Sequence, residues 1–383
     1  MTDSTEADAT DSGSRAPGAV TETDDMSDGD GVPLRDRDVW DTVLPARSSV
    51  VPTDRRATRT AGMPLEVDDL PYELEGRGEP PPVPNGWYAL AASSDLAAGD
   101  VLSTIAASRE LVVFRGGDGE LGVVDAYCPH LGGHLGGGAV EGSTLACPYH
   151  GWEFDSSGAC VEIPYSTGRI PSRACVRSYP VREVNGMVLF WYHVAGEDPT
   201  YEVPEITEPA DADFADGIEW RGAFTAALQD MAENNVDYTH FHFVHRREAL
   251  DASTSRFSTD GPFSTVVETF SEENLTFTRW TYGPGVALLR VPGLMSVLSA
   301  TTPVDRRHVR LLWYFYLPHA MAELADEIID GVVGPFGLGA DQPIWRDKVF
   351  RDRPLLVKGD GPVMEFRRWY EQFYEGNPGR PAP

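Results

Sequence analysis

Between residues 85 and 196 apolar positions recur every second residue in short runs: "LVVFRG", "LGVVDAYC", "TLACPYH", "VRSYPV" and "GMVLFWYH". A period of two puts alternate side chains on one face of a strand, so the stretch predicts a small antiparallel β domain. "EPPPVPNG" (79–86) and "GEDPTYEVPEI" (196–206) flank it and read as linkers. Beyond the second linker the pattern changes. "IEWRGAF" predicts a strand and "AALQDMAENNVDYTHFHF" a helix; longer strand-like runs follow ("STVVETFS", "LTFTRWTYG", "VALLRVPG", "HVRLLWYFYLP"), then a helical region from about 318. The fold class is α+β: an all-β domain over 85–196, then a domain over 197–383 with an antiparallel sheet and late helices. No repeat of fixed period is present.

Composition narrows the function classes. The longest apolar run, "GVALLRVPGLMSVLSA", is interrupted by Arg290 and Pro292, so no membrane span is expected. Residues 1–32 are Asp, Thr, Ser and Gly, an acidic disordered tail without the core of a signal peptide, and 33–84 form an N-terminal extension and linker. Four cysteines are too few for a disulfide scaffold and point to a reducing cytoplasm. The net charge of −29 argues against nucleic acid or an anionic membrane as partner. Residues 1–40 hold eleven acidic side chains against three Arg, a net of −8, which leaves −21 on the rest. With Lys348 and Lys358 the only lysines, this bias suggests a salt-adapted, halophilic cytoplasm; an arginine-favouring genome is the plainer alternative.

Two clusters carry candidate chemistry. Cys128-x-His130 is followed after sixteen residues by Cys147-x-x-His150, in "CPHLGG" and "CPYHGW". Two ligand sets compete. Structural zinc would close a tetrahedral Cys2His2 site, whereas a Rieske [2Fe–2S] cluster takes two Cys on one iron and two His on the other. Glycines and prolines in hairpin loops, rather than histidines on a helix, favour the cluster. His134 fits no ligand offset and reads as a loop histidine, while Cys160 and Cys175 read as free, buried thiols. Residues 117–122, "GDGELG", match G-x-G-x-x-G, but strand-like "VVDAYC" follows where a dinucleotide site needs a helix. That match is a hairpin turn, so reducing power must come from another protein.

The second cluster is "ENNVDYTHFHFVH", residues 233–245. His240 and His245 are five residues apart, which is not one face of a regular helix. Both reach one ion only if the helix bends or ends between them. Non-haem Fe(II) oxygenases need two His and a carboxylate on one side of the iron, leaving room for O2 and substrate. His242, between the two, should point away.

With both clusters present, residues 85–380 resemble the terminal oxygenase component of the Rieske non-haem iron oxygenases, most closely the 3-ketosteroid 9α-hydroxylase oxygenases and cholesterol 7-desaturases. The family pattern D-x-x-H-x4-H falls on Asp237, His240 and His245, and the third ligand, an aspartate before a downstream helix, matches Asp341 in "GADQPIWRDKVFRDRPLL". Asp347 and Asp352 are competing carboxylates nearby, and Asp237 is itself an alternative ligand. "RRWYEQFY" is a specific match of structural role. The resemblance implies a Rieske domain over 85–196, a helix-grip-like catalytic domain over 197–383, and Cys128, His130, Cys147 and His150 as cluster ligands.

Three residues before His240, Asp237 shares its helical face and is placed to hydrogen-bond its second nitrogen, with Asn234 one turn earlier behind the ligands. The resemblance further implies that Asp237 reaches a cluster histidine of the next subunit in a homotrimer. Gly133 and Tyr149 stand where high-potential Rieske proteins carry an extra disulfide, and Trp152 where they carry a hydroxyl donor, which implies a low potential. Pro343 departs from the pattern but suits a helix's first turn. The implied activity is hydroxylation or desaturation of an apolar, sterol- or steroid-like substrate, using O2 and electrons from a ferredoxin or flavin reductase. An aromatic-ring dioxygenase, or a Rieske electron carrier with an inactive second domain, are the alternatives.

Overall fold

The computed structural model describes residues 78–247, 255–270 and 275–376. The expected acidic tail over 1–32 and all but the end of the 33–84 extension lie outside the described residues.

The first domain is all β. Strands β1 (Gly86–Ala92), β2 (Val101–Ala106), β3 (Arg109–Arg115), β4 (Leu121–Asp125), β5 (Ala139–Glu141), β6 (Thr144–Ala146), β7 (Glu153–Phe154), β8 (Cys160–Glu162), β9 (Val181–Val184) and β10 (Met187–Tyr192) form three antiparallel sheets, ordered β1-β10-β9, β2-β3-β4 and β5-β6-β7-β8. The "GDGELG" stretch is the β3–β4 turn: the Gly116 N–H donates to the Glu120 carbonyl at 2.8 Å, and Gly119 takes φ 89°, a value open to glycine. Cys160 is buried as expected. Cys175 is exposed, and this corrects the expectation. Its neighbours Ala174 and Val176 both face inward, so the extended chain turns the side chain between them outward.

The second domain is built on one seven-stranded antiparallel sheet. Its strands are β11 (Ile218–Thr225), β12 (Arg256–Asp260), β13 (Phe263–Phe270), β14 (Leu275–Tyr282), β15 (Val286–Val291), β16 (Met295–Pro303) and β17 (His308–Tyr316), in the order β11-β17-β16-β15-β14-β13-β12. The α+β expectation holds. The two domains share their cores: Tyr88, Leu111 and Val113 cluster with Trp220, Phe224 and Phe315. A side chain on Gly285 would meet the Trp87 carbonyl oxygen at 2.4 Å, so glycine lets β15 approach β1.

The helix expected over 226–243 is two short ones, α1 (Leu228–Glu233) and α2 (His240–Phe243). Asn234, Asn235 and Asp237 lie in the break, where short polar side chains compete with the helix for backbone hydrogen bonds. Asp237 Oδ1 accepts from the His240 N–H at 3.3 Å and the Thr239 hydroxyl at 3.0 Å. Further on come α3 (Ala325–Val333), α4 (Leu338–Asp347) and α5 (Val363–Tyr370). Asp341 therefore lies in the first turn of α4 rather than before it. Pro343 falls beyond that turn, inside the helix, where its ring nitrogen leaves the Gly339 carbonyl without its i+4 donor.

"RRWYEQFY" anchors α1 from the C-terminal side. Arg367 donates Nε to Glu233 Oε1 at 2.8 Å and Nη2 to Oε2 at 2.9 Å, and Nη1 to the Arg351 carbonyl. Lys348 Nζ sits 2.8 Å from Asp230 and 3.7 Å from Glu233, and the Tyr374 hydroxyl donates to Gln229 at 2.7 Å. Arg367→Met should lower stability by roughly 3 kcal/mol, because it strands a buried carboxylate that Lys348 only partly compensates. The urea midpoint measures this; an unchanged midpoint would show that the pair contributes nothing.

Candidate metal centres and substrate cavity

The two Cys–His loops fold alike. In the first, the Cys128 N–H donates to the Gly133 carbonyl at 2.9 Å and the Gly132 N–H returns to the Cys128 carbonyl at 3.0 Å; in the second, Cys147 and Trp152 (2.8 Å) and Gly151 and Cys147 (2.9 Å) repeat the arrangement. Both turns need positive φ, supplied by Gly132 at 75° and Gly151 at 69°. A Cβ on Gly133 would lie 3.2 Å from Cys147 Sγ, so this glycine lets backbone approach sulfur.

Cys128 and Cys147 are both buried, at 3% and 4% exposure, and the rings of His130 and His150 are 4.6 Å apart. Burial pushes the Cys128 thiol up to about 11, with Cys147 against it adding to the rise. His130 Nδ1 is buried without a hydrogen-bond partner, as expected of a donor set aside for a metal. Trp152 stacks on His130, centroids 4.7 Å apart and planes 7° off parallel, and gives its N–H to Tyr165 rather than to the loops. His134 stays out of this group. Its Nδ1 accepts from the Gly136 N–H at 3.1 Å and its Nε2 lies 3.6 Å from Glu110.

The second group assembles at the break after α1 and the start of α4. Donor atoms of His240, His245 and Asp341 all lie within 4.8 Å of one another. His240 Nδ1 is hydrogen-bonded to the Asp237 backbone carbonyl, and His245 Nδ1 to the Phe336 carbonyl at 2.9 Å. Each imidazole is thus oriented by a carbonyl on one nitrogen and keeps the other for an ion. The expectation that the Asp237 carboxylate holds His240 Nδ1 is corrected: its carbonyl does so, while the carboxylate caps α2. Because α2 ends after Phe243, the five-residue step still brings both rings together, centroids 5.1 Å apart.

Asp341 is 5% exposed; its Oδ1 accepts from Asn234 Nδ2 at 3.1 Å and its Oδ2 lies 3.3 Å from His245 Nε2. Asn234 is itself held, its Oδ1 accepting from Trp345 Nε1 at 3.3 Å. Burial keeps the His240 imidazole below its ordinary value and hence neutral, as a metal ligand must be. At His245 burial acts the same way but is outweighed by the bond to Asp341, which raises it; an ion bound between the two would take the place of that bond. Of the other sequence candidates, His242 turns to the Arg247 carbonyl at 3.0 Å and Asp347 pairs with Arg346 at 3.0 Å. Asp352 contributes no donor to the group.

These three residues line a cavity of about 240 Å3 between the helices and the sheet, far more than the ~10–15 Å3 that a single water needs. Its wall is mostly apolar, with Phe277, Leu289, Met295, Val297, Trp313 and Val332 among the lining residues. Of the aromatic side chains on β14 and β17, Trp313 lines it, while Trp280, Tyr314 and Tyr316 pack in a separate apolar cluster with Trp87 and Leu298. Three charged residues were missed. Arg247 and Arg279 line the cavity, and Glu268 lies wholly buried beside Arg279, with Nη1 and Oε2 3.8 Å apart. The signal was available in "STVVETF", which places Glu268 on the same strand face as Val266 and Phe270.

A two-loop Cys–His site in a β domain, joined to a cavity that carries two histidines and one carboxylate, defines an oxygenase of the Rieske type. Residues 86–180 match the Rieske [2Fe-2S] domain, which sets aside the zinc alternative, and residues 190–374 match the 3-Ketosteroid 9alpha-hydroxylase C-terminal domain. The chain is 31% identical to cholesterol 7-desaturase nvd 1 of Ciona intestinalis over 334 residues, 79% of this chain and 71% of that one. It is 29% identical to the 3-ketosteroid-9-alpha-monooxygenase oxygenase component of Rhodococcus rhodochrous, over 79% of this chain and 84% of that one. The fold is that of dicamba monooxygenase bound to dicamba, with a TM-score of 0.62 at 20% identity over 76% of this chain and 96% of that one. The chain belongs to the Rieske non-haem iron oxygenases, on the side of the family that holds the 3-ketosteroid 9α-hydroxylase oxygenases and cholesterol 7-desaturases. It is a terminal oxygenase that depends on an electron-donor partner and takes a small-molecule substrate. Among the described residues no helix is long and apolar enough to cross a membrane.

Proposed function

We propose that this oxygenase hydroxylates or desaturates an unactivated C–H bond of a sterol- or steroid-like substrate. The observation that carries the reading is the His240–His245–Asp341 group on the wall of an otherwise mostly apolar cavity. The names of the relatives, a cholesterol desaturase and a 3-ketosteroid monooxygenase, support the substrate class.

In this reading Cys128, Cys147, His130 and His150 hold the [2Fe–2S] cluster, and His240, His245 and Asp341 hold Fe(II). When bound, the cluster supplies single electrons and the mononuclear iron the place where O2 is activated. Asn234 fixes the Asp341 carboxylate through its amide while Trp345 fixes Asn234. Trp152 covers His130. The apolar wall keeps bulk water from the reacting carbon. Asp237 links the two centres between neighbouring chains of a homotrimer; none of the cavity-lining residues comes from either Cys–His loop, which favours a cluster delivered by another subunit. A ferredoxin or flavin reductase is the donor, and the setting is a cytoplasm, salt-rich in keeping with the charge of −29.

Incubating the reduced holoenzyme with O2 and a panel of steroids and arenes, followed by mass spectrometry, tests the substrate class. The expected result is gain of one oxygen, or loss of two hydrogens, on a steroid. Dihydrodiols from arenes with no steroid product would overturn it.

A further inference from the structure

Arg279 is the unusual group in the cavity wall. On β14 it shares the inward face with Phe277 and Thr281, and its row across the sheet continues through Leu289 on β15 and Val297 on β16. Two other charged residues line the cavity: Asp341 belongs to the ligand group, and Arg247 lies over the rings of Phe270 and Phe277, 5.8 Å from each centroid. Arg279 has no such place. Its Nη1 is buried without a hydrogen bond, and its nearest partner, Glu268, is 3.8 Å away with neither carboxylate oxygen hydrogen-bonded. A buried ion pair that serves stability needs close, hydrogen-bonded geometry to offset desolvation. This pair lacks it, so the guanidinium faces an apolar cavity with donors to spare.

We propose that Arg279 determines specificity by donating a hydrogen bond to a carbonyl oxygen of the substrate, so that the cavity takes a ketosteroid in preference to the hydroxysterol or the bare hydrocarbon. The inference rests on the steroid reading above and decides within it. Guanidinium is donor only and a ketone is acceptor only, so the two match. The guanidinium itself offers a hydroxyl's proton no acceptor, and Glu268 is not among the lining residues. A carboxylate is disfavoured because it would crowd a second acidic group onto the one cation that Glu268 already faces.

Three probes on one skeleton test this: 5α-androstan-3-one, 5α-androstan-3β-ol and 5α-androstane, titrated into holoenzyme by quenching of Trp313, Trp345 and Trp369, all in the cavity wall. Wild type is expected to bind the ketone about ten- to a hundredfold tighter than the hydrocarbon, with the alcohol between, as a hydrogen bond to a charged donor implies. Removing Arg279 alone would strand Glu268, which burial already lifts to about 7, so the variant is Arg279→Met with Glu268→Gln. That double variant should bind all three probes within a fewfold while keeping its iron and cluster content. Glu268→Gln alone should keep the preference. Equal binding of ketone and hydrocarbon by wild type, or a preference that survives the double variant, overturns the role of Arg279. If wild type binds none of the three, the steroid reading falls, and this inference with it.

Discussion

Alanine at His240, His245 or Asp341 is expected to strip each chain of its mononuclear iron and end product formation, with the visible and EPR spectra of the cluster unchanged. Two imidazole nitrogens and one carboxylate converge within 4.8 Å, and no other His, Cys, Asp or Glu among the described residues joins them. Loss of one leaves two donors, too few to keep iron against dilution. Asp347 cannot step in, since it is turned to Arg346 at 3.0 Å. The cluster loops lie in the other domain and share no residue with the cavity wall. Asn234→Ala should fall short of these: it leaves all three donors but frees the Asp341 carboxylate, a change that costs about 10- to 100-fold in metal affinity or activity. Colorimetric iron analysis beside product quantification separates the two classes. Retention of iron and activity by the Asp341 variant would place the third ligand elsewhere.

What could be read in advance follows how far each feature reaches along the chain. The Cys–His loops are local, with ligands two and three residues apart and turn glycines beside them, so spacing alone exposes them. Period-two runs likewise exposed the strands of both domains. The break after Glu233 was harder, because Leu228, Met231 and Ala232 have helical spacing while the interruption rests on side chain to backbone bonds from Asp237. Asp341 is 96 residues from His245, and nothing local separates it from Asp347; only the family pattern singled it out. The shared core of the two domains, one cluster holding Tyr88 together with Trp220 and Phe224, depends on contacts that no periodicity encodes. Cys175 was misjudged because cysteine is so often buried, although the flanking Ala174 and Val176 already marked its outward face.

Asp237→Asn should leave an oligomer with both metals that reduces its cluster normally yet fails to deliver the electron in a single turnover. Within one chain the Asp237 side chain caps α2 through Oδ1, accepting from His240 N–H and Thr239. Asparagine caps helices as well as aspartate does, and its amide oxygen can accept both bonds. The backbone carbonyl that orients His240 is untouched by the substitution. Folding and iron retention therefore do not depend on the negative charge. The second carboxylate oxygen takes no hydrogen bond among the described residues, which leaves it for a group outside the chain. If that group is a cluster imidazole of the next subunit, whose N–H needs an acceptor with charge, the amide disrupts the link alone. Rapid-mixing of the reduced variant with substrate and O2, followed by product per cluster, reads the transfer, and light scattering reads the assembly. A monomer with full activity, or an unchanged single-turnover rate in Asp237→Asn, would remove Asp237 from the electron path and leave it a cap on α2.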